Sequence, residues 1–440
     1  MFKFSLLPAL PECNQLFFLF DLGSLLQTTM SHLMLADISK ALTAEVVEKA
    51  FKAKTGSADS VEKISVTRAA PVGEGLLGAV YRIKVVGGQH KTSFVAKGLV
   101  ADKLLRTTLN CTQYFEREIQ FFSKILPSLI AIQKLLGAKE SIQSKIPICY
   151  DWVCDGCNDY LLLEDLTERG YVGVSKNLKI YERNAALETL AHFHAVSLAL
   201  RSKDPELFMK ISNQLRENYY YEENKSWYDA YLQNAIQLDL IALAEYEDPE
   251  TSVYYKKFID LLNKDAYSQL INLVSERGNY PVLCHGDAWC SNFLYFDKKS
   301  VVIDFQLVRC ASLVTDLAYL IIVSNLCRSK EDFNDAVEVY YIALQKYLAD
   351  MNLNASTIYP RTLLDVELKK FGKYGLLASL SSIPLMASER YDMIYSSCSE
   401  YQGYDRIPLK ELWRLTPFEE EEDKKQLVNA VRVAVDAGLI

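Results

Sequence analysis

The chain has no excess of positive charge, no long uninterrupted apolar run and few histidines, and each absence removes a class of protein. Forty-eight Lys and Arg against 56 Asp and Glu leave a formal charge of −8, so nothing global invites nucleic acid or an anionic membrane surface. No stretch reaches the roughly 18 to 20 apolar residues that a membrane span needs, and no stable membrane association is expected. Phe4 to Leu10 and Leu16 to Leu26 come nearest, and Glu12 and Asp21 interrupt them. Residues 1–34 are therefore read as an N-terminal extension of doubtful status, upstream of a natural start at Met30 or Met34, in preference to a signal peptide. The ten cysteines follow no regular spacing, and Cys149, Cys284 and Cys310 sit in apolar runs. That pattern excludes a disulfide framework and fits free thiols in a reducing compartment, which predicts a cytoplasmic protein. Cys154 and Cys157 form a CxxC pair without a second pair, and the five histidines are far apart or on other motifs. A turn between two strands accounts for that pair better than a zinc site does. There is no internal repeat and no low-complexity linker.

What is present is an ordinary globular composition, half apolar and 24% charged, over 440 residues. That length calls for two cooperating lobes around more than one core. Short β-type runs fill Ile64 to Val72, Ala79 to Val86, Ser93 to Val100, Ile146 to Cys154 and Tyr160 to Leu163. One helix interrupts them from about Gln113 to Lys134, with Phe115, Ile119, Phe122, Ile125 and Leu126 at helical spacing. After Gly170 long amphipathic helices take over, broken by one strand-like region from Val282 to Val308. The expectation is an α+β fold: a small antiparallel-sheet lobe with one main helix over 35–166, then a large, mainly helical lobe over 167–440. In the helix spanning about Asn177 to Leu200, His194 falls on the apolar stripe and reads as a hydrogen-bonded core histidine. The acidic run Glu419 to Asp423 reads as a solvated helix start.

Three groups of residues carry chemistry. In Pro71-Val-Gly73-Glu-Gly75-Leu-Leu-Gly78 the glycines stand between two strands, which suits a hairpin flap over phosphates, although a plain hairpin has the same pattern. Lys97 ends the apolar strand Phe94-Val95-Ala96-Lys97, where a lysine either snorkels out of the core or reaches a nucleotide's α and β phosphates. Glu118 follows on the helix of the same lobe and shares the inward face with Phe115 and Phe122, which makes it a better partner for Lys97 than Glu116.

The third group is the most specific. Leu283-Cys-His285-Gly286-Asp287-Ala-Trp289-Cys-Ser-Asn292 is followed by Val301-Val-Ile303-Asp304-Phe305-Gln306. An Asp and an Asn close together on one connection, then a second Asp at the end of the next apolar strand, is a layout that phosphoryl transfer requires. Asp287 accepts or aims the proton of an acceptor hydroxyl, while Asn292 and Asp304 offer hard oxygen ligands to Mg²⁺. His285 reads as a prop for the loop in preference to a proton carrier. Asp316 either caps a helix or accepts loop backbone N–H groups. Tyr219, Tyr220, Tyr221, Trp227 and Tyr228 either pack helices together or line a pocket for a flat apolar ligand.

With these residues in view, the sequence resembles the protein-kinase-like superfamily of small-molecule kinases, which includes choline kinases and aminoglycoside phosphotransferases. Within it the likeness is to the ecdysteroid kinase-like (CHK kinase-like) family. It rests on His285-Gly-Asp287-x-Trp289-x-x-Asn292, Ile303-Asp304-Phe305-Gln306, Leu163-Glu164-Asp165-Leu166 and Gly375-Leu-Leu-Ala-Ser-Leu-Ser-Ser-Ile-Pro384. The resemblance implies a bilobal protein-kinase-like fold and ATP bound beneath the flap of Gly73, Gly75 and Gly78. It places adenine against the connector that includes Glu164 and Leu166, and it implies detoxifying phosphorylation of a hydroxyl on a steroid or xenobiotic. The family's Gly-Glu-Asn-Tyr in the flap is replaced by Gly73-Glu74-Gly75-Leu76. Other readings are a choline- or ethanolamine-type kinase and an inactive binding protein of the same fold. A protein kinase is disfavoured, because the stretch between Asp304 and Asp316 is too short for a long peptide-binding activation segment.

Overall fold

Alternating burial along β2 (Ala79–Gly87), with Tyr81, Ile83 and Val85 inward and Lys84 outward, is the signature of a sheet with one covered face. In the computed structural model, which describes residues 33–69, 79–174, 178–388 and 400–440, β2 belongs to a five-stranded antiparallel sheet. Its other members are β1 (Lys63–Arg68), β3 (His90–Gly98), β4 (Cys149–Val153) and β5 (Tyr160–Glu164), in the order β1-β2-β3-β5-β4. The N-terminal segment 1–32 and the flap glycines Gly73, Gly75 and Gly78 lie outside the described residues. The strands on either side of that flap pair from Lys63 with Val86 to Arg68 with Tyr81. Cys154 and Cys157 are exposed in the turn between β4 and β5, where Asp159 accepts the amides of Asp155 and Gly156.

The helix expected over Gln113 to Lys134 is a composite. Cys111–Gln120 is α-helical, Phe121–Ile125 makes one π turn, and Leu126–Leu135 resumes the α-helix. Pro127 gives the reason: it has no N–H to return to the preceding turn, so the ladder shifts and the Leu126 amide bonds to the Phe121 carbonyl. Two further helices of this region go beyond the one expected: Ala44–Thr55 stands ahead of the sheet. The other, Lys103–Thr108, is capped by Asp102, whose Oδ1 accepts the Leu105 amide at 2.7 Å. It is too short to display a periodicity.

The strand-like stretch Val282 to Val308 is divided between two small sheets. With β6 (Val172–Gly173), β7 (Val282–Cys284), β8 (Phe293–Phe296), β9 (Lys299–Val302) and β10 (Arg309–Ala311), the orders are β6-β8-β9 and β10-β7. Around them the helix Ile180–Lys203 lies against Lys330–Asp350, and Leu313–Val323 lies against Lys373–Ala387. At the latter crossing Gly375 leaves no room for a side chain, since a Cβ there would stand 2.4 Å from the Ala318 carbonyl oxygen. The tyrosine-rich stretch mostly packs helices. Tyr220 and Tyr228 are buried and meet Tyr267 and Tyr374 edge-on or tilted, while Trp227 is half-buried and donates to the Ile407 carbonyl. Among the described residues no helix is long and apolar enough to cross a membrane.

Candidate active site

Lys97 sits near the end of β3, opposite Val80 on β2 and Leu161 on β5, so the sheet fixes where its stem begins. Its ammonium donates to both carboxylate oxygens of Glu118, at 2.8 and 2.9 Å, and to Oδ1 of Asp304 at 2.7 Å. Glu118 is buried and Glu116 is exposed, so the helix face predicted from Phe115 and Phe122 is the one that turns inward. Burial works against the Lys97 charge, but the Asp304 and Glu118 carboxylates outweigh it and hold the ammonium well above its ordinary pKa. The lysine is thus a fixed cation between two anions that come from distant parts of the chain.

Asp304 follows β9 with φ 70° and ψ 67°, a left-handed conformation uncommon for a residue with a side chain. Its surroundings hold it there. Phe305 stacks on Phe121 at 3.7 Å between centroids, meets Phe122 edge-on and lies 5.0 Å from the ring of His285. Arg117, next to Glu118, donates to the Val308 carbonyl at 2.5 Å and to the Arg216 carbonyl at 2.6 Å. The Ile303 amide donates to the Asn292 carbonyl at 2.9 Å. Together these bonds close the Asp304 turn onto both the Glu118 helix and the Asp287 to Asn292 loop.

That loop is tightly specified. Asn292 uses its side-chain nitrogen twice, on the Asp287 carbonyl at 2.8 Å and on Oδ2 of Asp287 at 2.9 Å. Burial first, and the like charge of Asp304 second, push the Asp287 carboxyl up to about 7. His285 accepts the Asp287 amide at Nδ1 (3.2 Å), and its Nε2 faces the Ile303 carbonyl (2.9 Å). One partner only donates and the other only accepts, so the ring is the neutral Nε2–H tautomer. Burial lowers its pKa in the same sense. Gly286 has φ 88°, and a Cβ there would lie 1.9 Å from the Leu307 carbonyl oxygen, so only glycine fits. Asp316 accepts the His285 amide at 2.5 Å and the Gly286 amide at 3.0 Å, and His194 donates to it from Nε2 at 3.2 Å. Of the two readings of Asp316, the observed one is the loop-binding one, and Ser312 is the residue that caps its helix. His194 is a satisfied core histidine, with Tyr340 Oη on its other nitrogen at 2.7 Å.

The connector after β5 is locked as well. The Glu164 carboxylate faces the Arg169 guanidinium and the Ile148 amide, each at 3.3 Å, and Leu166 packs with Tyr171 and Val301. The anchor is Asp165, which accepts from Arg82 and Ser93 at 2.7 Å each and from Thr167. Asp165 and Arg117 are the two residues whose contribution the motifs did not reveal. Asp165 stands inside a quoted motif and Arg117 beside Glu118, but the partners they clamp lie far away in the chain.

An antiparallel sheet carrying a lysine paired with a buried glutamate, joined to a mainly helical body that brings Asp287, Asn292 and Asp304 together, is the architecture of a protein-kinase-like phosphotransferase. The model of the ecdysteroid kinase-like family matches residues 72–353, and the chain belongs to that family. It is therefore a small-molecule kinase that phosphorylates a hydroxyl group. Among solved structures it is similar to an ethanolamine kinase of Plasmodium vivax (12% identity, TM-score 0.40, covering 86% of this chain and 84% of that one). It is also similar to a choline kinase of Cryptosporidium parvum (11%, 0.40, 86% and 91%) and to an aminoglycoside phosphotransferase of Streptomyces rimosus (15%, 0.33, 77% and 98%). No curated protein sequence matches the chain.

Proposed function

We propose that the enzyme transfers the γ-phosphate of ATP to a hydroxyl on a steroid or xenobiotic in the cytoplasm, with the nucleotide side in 35–166 and the acceptor side in 167–440. The observation that carries this reading is the three-way contact of Lys97 with Glu118 and Asp304 beside the Asn292–Asp287 pair. The donor set also suits magnesium. Asn292 spends its nitrogen on Asp287, which leaves Oδ1 as a neutral oxygen donor, and the Ile303 amide bond to the Asn292 carbonyl ties that loop to the residue before Asp304. Mg²⁺ held by Asn292 and Asp304 would supply charge neutralisation across the phosphates.

This chain's own residues do the rest. Lys97, kept charged by its two anions, binds the α and β phosphates. The flap glycines Gly73, Gly75 and Gly78 cover them, and the connector with Glu164 and Leu166 receives adenine. Asp287 aims the acceptor hydroxyl and takes its proton as the new oxygen–phosphorus bond forms and ADP departs. A carboxyl pushed up toward neutrality is a better base than an ordinary aspartate. His285, both nitrogens occupied by backbone, keeps Asp287 in register without moving a proton.

The test is a screen of hydroxylated steroids, plant phenolics and choline for ATP consumption, with Asp304→Ala as the control. Acceptor-dependent turnover of a steroid or phenolic by the wild type, lost in the control, is the expected result. Turnover of choline alone would replace the acceptor class, and full activity in the control would remove the mechanism.

A further inference from the structure

Away from Lys97, Asp287, Asn292 and Asp304, a cavity of about 340 Å³ opens between the start of the helix Glu421–Asp436 and the segment that follows the helix Leu313–Val323. The volume is at the small end of the range for small-molecule sites. Nitrogen donors from Asn325, Arg328, Lys425, Asn429 and Arg432 line it. They are not equally committed. Arg432 is held by Glu247 at 2.6 Å, and Lys425 has Glu421 and Glu422 no nearer than 3.9 Å. The Arg328 guanidinium and the side-chain amides of Asn325 and Asn429 have no partner among the described residues.

The wall is also held in place before any ligand arrives. Ser324, beside Asn325, accepts the Cys290 amide at 2.8 Å, and Gln426 donates to the Val323 carbonyl at 2.8 Å. Asn325 itself has φ 50°, so its backbone is turned sharply at the cavity edge. The backbone that carries these donors is thus set before binding, which lowers the cost of ordering the site.

We propose that this cavity binds a small phosphate monoester. A dianionic oxyanion takes the Arg328 fork, the Lys425 ammonium and the two amides as charge-assisted and neutral donors. The space beyond a bare phosphate is bounded by the Tyr246 ring and Val428, which give an organic group an apolar wall, and Glu422 on the rim accepts a hydroxyl from it. Nothing in this depends on the identity of the acceptor in the phosphotransfer reaction.

The experiment is calorimetric titration of the full chain with ribose 5-phosphate and with inorganic phosphate at matched ionic strength, for wild type, Arg328→Glu and Asn429→Ala. Arg328 is exposed, so its substitution leaves the core untouched. The ester is expected to bind more tightly than inorganic phosphate, and Arg328→Glu to weaken it by about tenfold or more, with a smaller loss in Asn429→Ala. Hydrogen exchange of the complex is expected to show protection at residues 325–328 and 425–432. Unchanged affinity in Arg328→Glu, protection confined to other segments, or no preference for the ester would each overturn the proposal.

Discussion

Asp316 is buried and Asp287 half-buried in neighbouring segments of one chain, and their surroundings treat them in opposite ways. Burial alone raises the pKa of both. Around Asp316 the hydrogen bond from His194 and the charge of Arg309 outweigh it, and two backbone amides complete the shell, so the carboxyl is held below its usual value. Around Asp287 there is one donor, Asn292, and a like charge, Asp304, so the carboxyl is pushed up to about 7. The first carboxylate is saturated and serves as a structural anchor. The second is left short of donors and is free to bind something else. The count and sign of neighbours separate the anchoring aspartate from the one proposed to react.

Three experiments test that contrast. The largest effect is expected from Asp287→Asn, which on the proposed mechanism lowers phosphotransfer by about 10²- to 10⁴-fold while the thermal midpoint does not fall. A variant with wild-type turnover would mean that the under-satisfied aspartate is not the reactive one. Next comes Asp316→Asn. An amide nitrogen would face the donors of His285, Gly286 and His194, and buried groups left unpaired in this way cost roughly 1–3 kcal/mol each. A stability loss of about 3 kcal/mol in urea unfolding is expected, and an unchanged midpoint would break the anchor reading.

The third test is in pH. Folding raises the Asp287 pKa, so the folded, metal-free protein keeps that proton to higher pH than the unfolded chain does. The stability this contributes is full below the ordinary aspartate range and is lost as pH climbs toward 7. Unfolding titrations between about pH 4 and 8 should therefore show stability falling with pH in the wild type, a fall that is missing in Asp287→Asn. Parallel curves for the two proteins would contradict it.

Much of the site was legible because its signals are local. Lys97 is marked by the end of an apolar strand, Glu118 by its place between Phe115 and Phe122, and Asp287, Asn292 and Asp304 by polar residues at strand ends where a packed core would not want them. The choice of Glu118 over Glu116 needed only the helix period. The short helix Lys103–Thr108 and the π turn at Phe121–Ile125 were not legible, the one for want of length and the other because it depends on how the ladder adjusts around Pro127. Arg117 and Asp165 had no role assigned from the sequence and act as clamps in the structure. Asp316 and the tyrosine cluster each had two readings until their neighbours were known.

The sequence by itself therefore determined the order of elements, the inward faces and the inventory of chemical groups, because hydrophobic period and strand-end polarity act over a few residues. Only the tertiary structure decided that Lys97 meets Asp304 from a distant part of the chain, that Asp304 is held in a left-handed turn, and that Asp316 receives more donors than Asp287. Those outcomes depend on which distant groups the packing brings within a few ångströms, and charge and hydrogen bonding act only at that range.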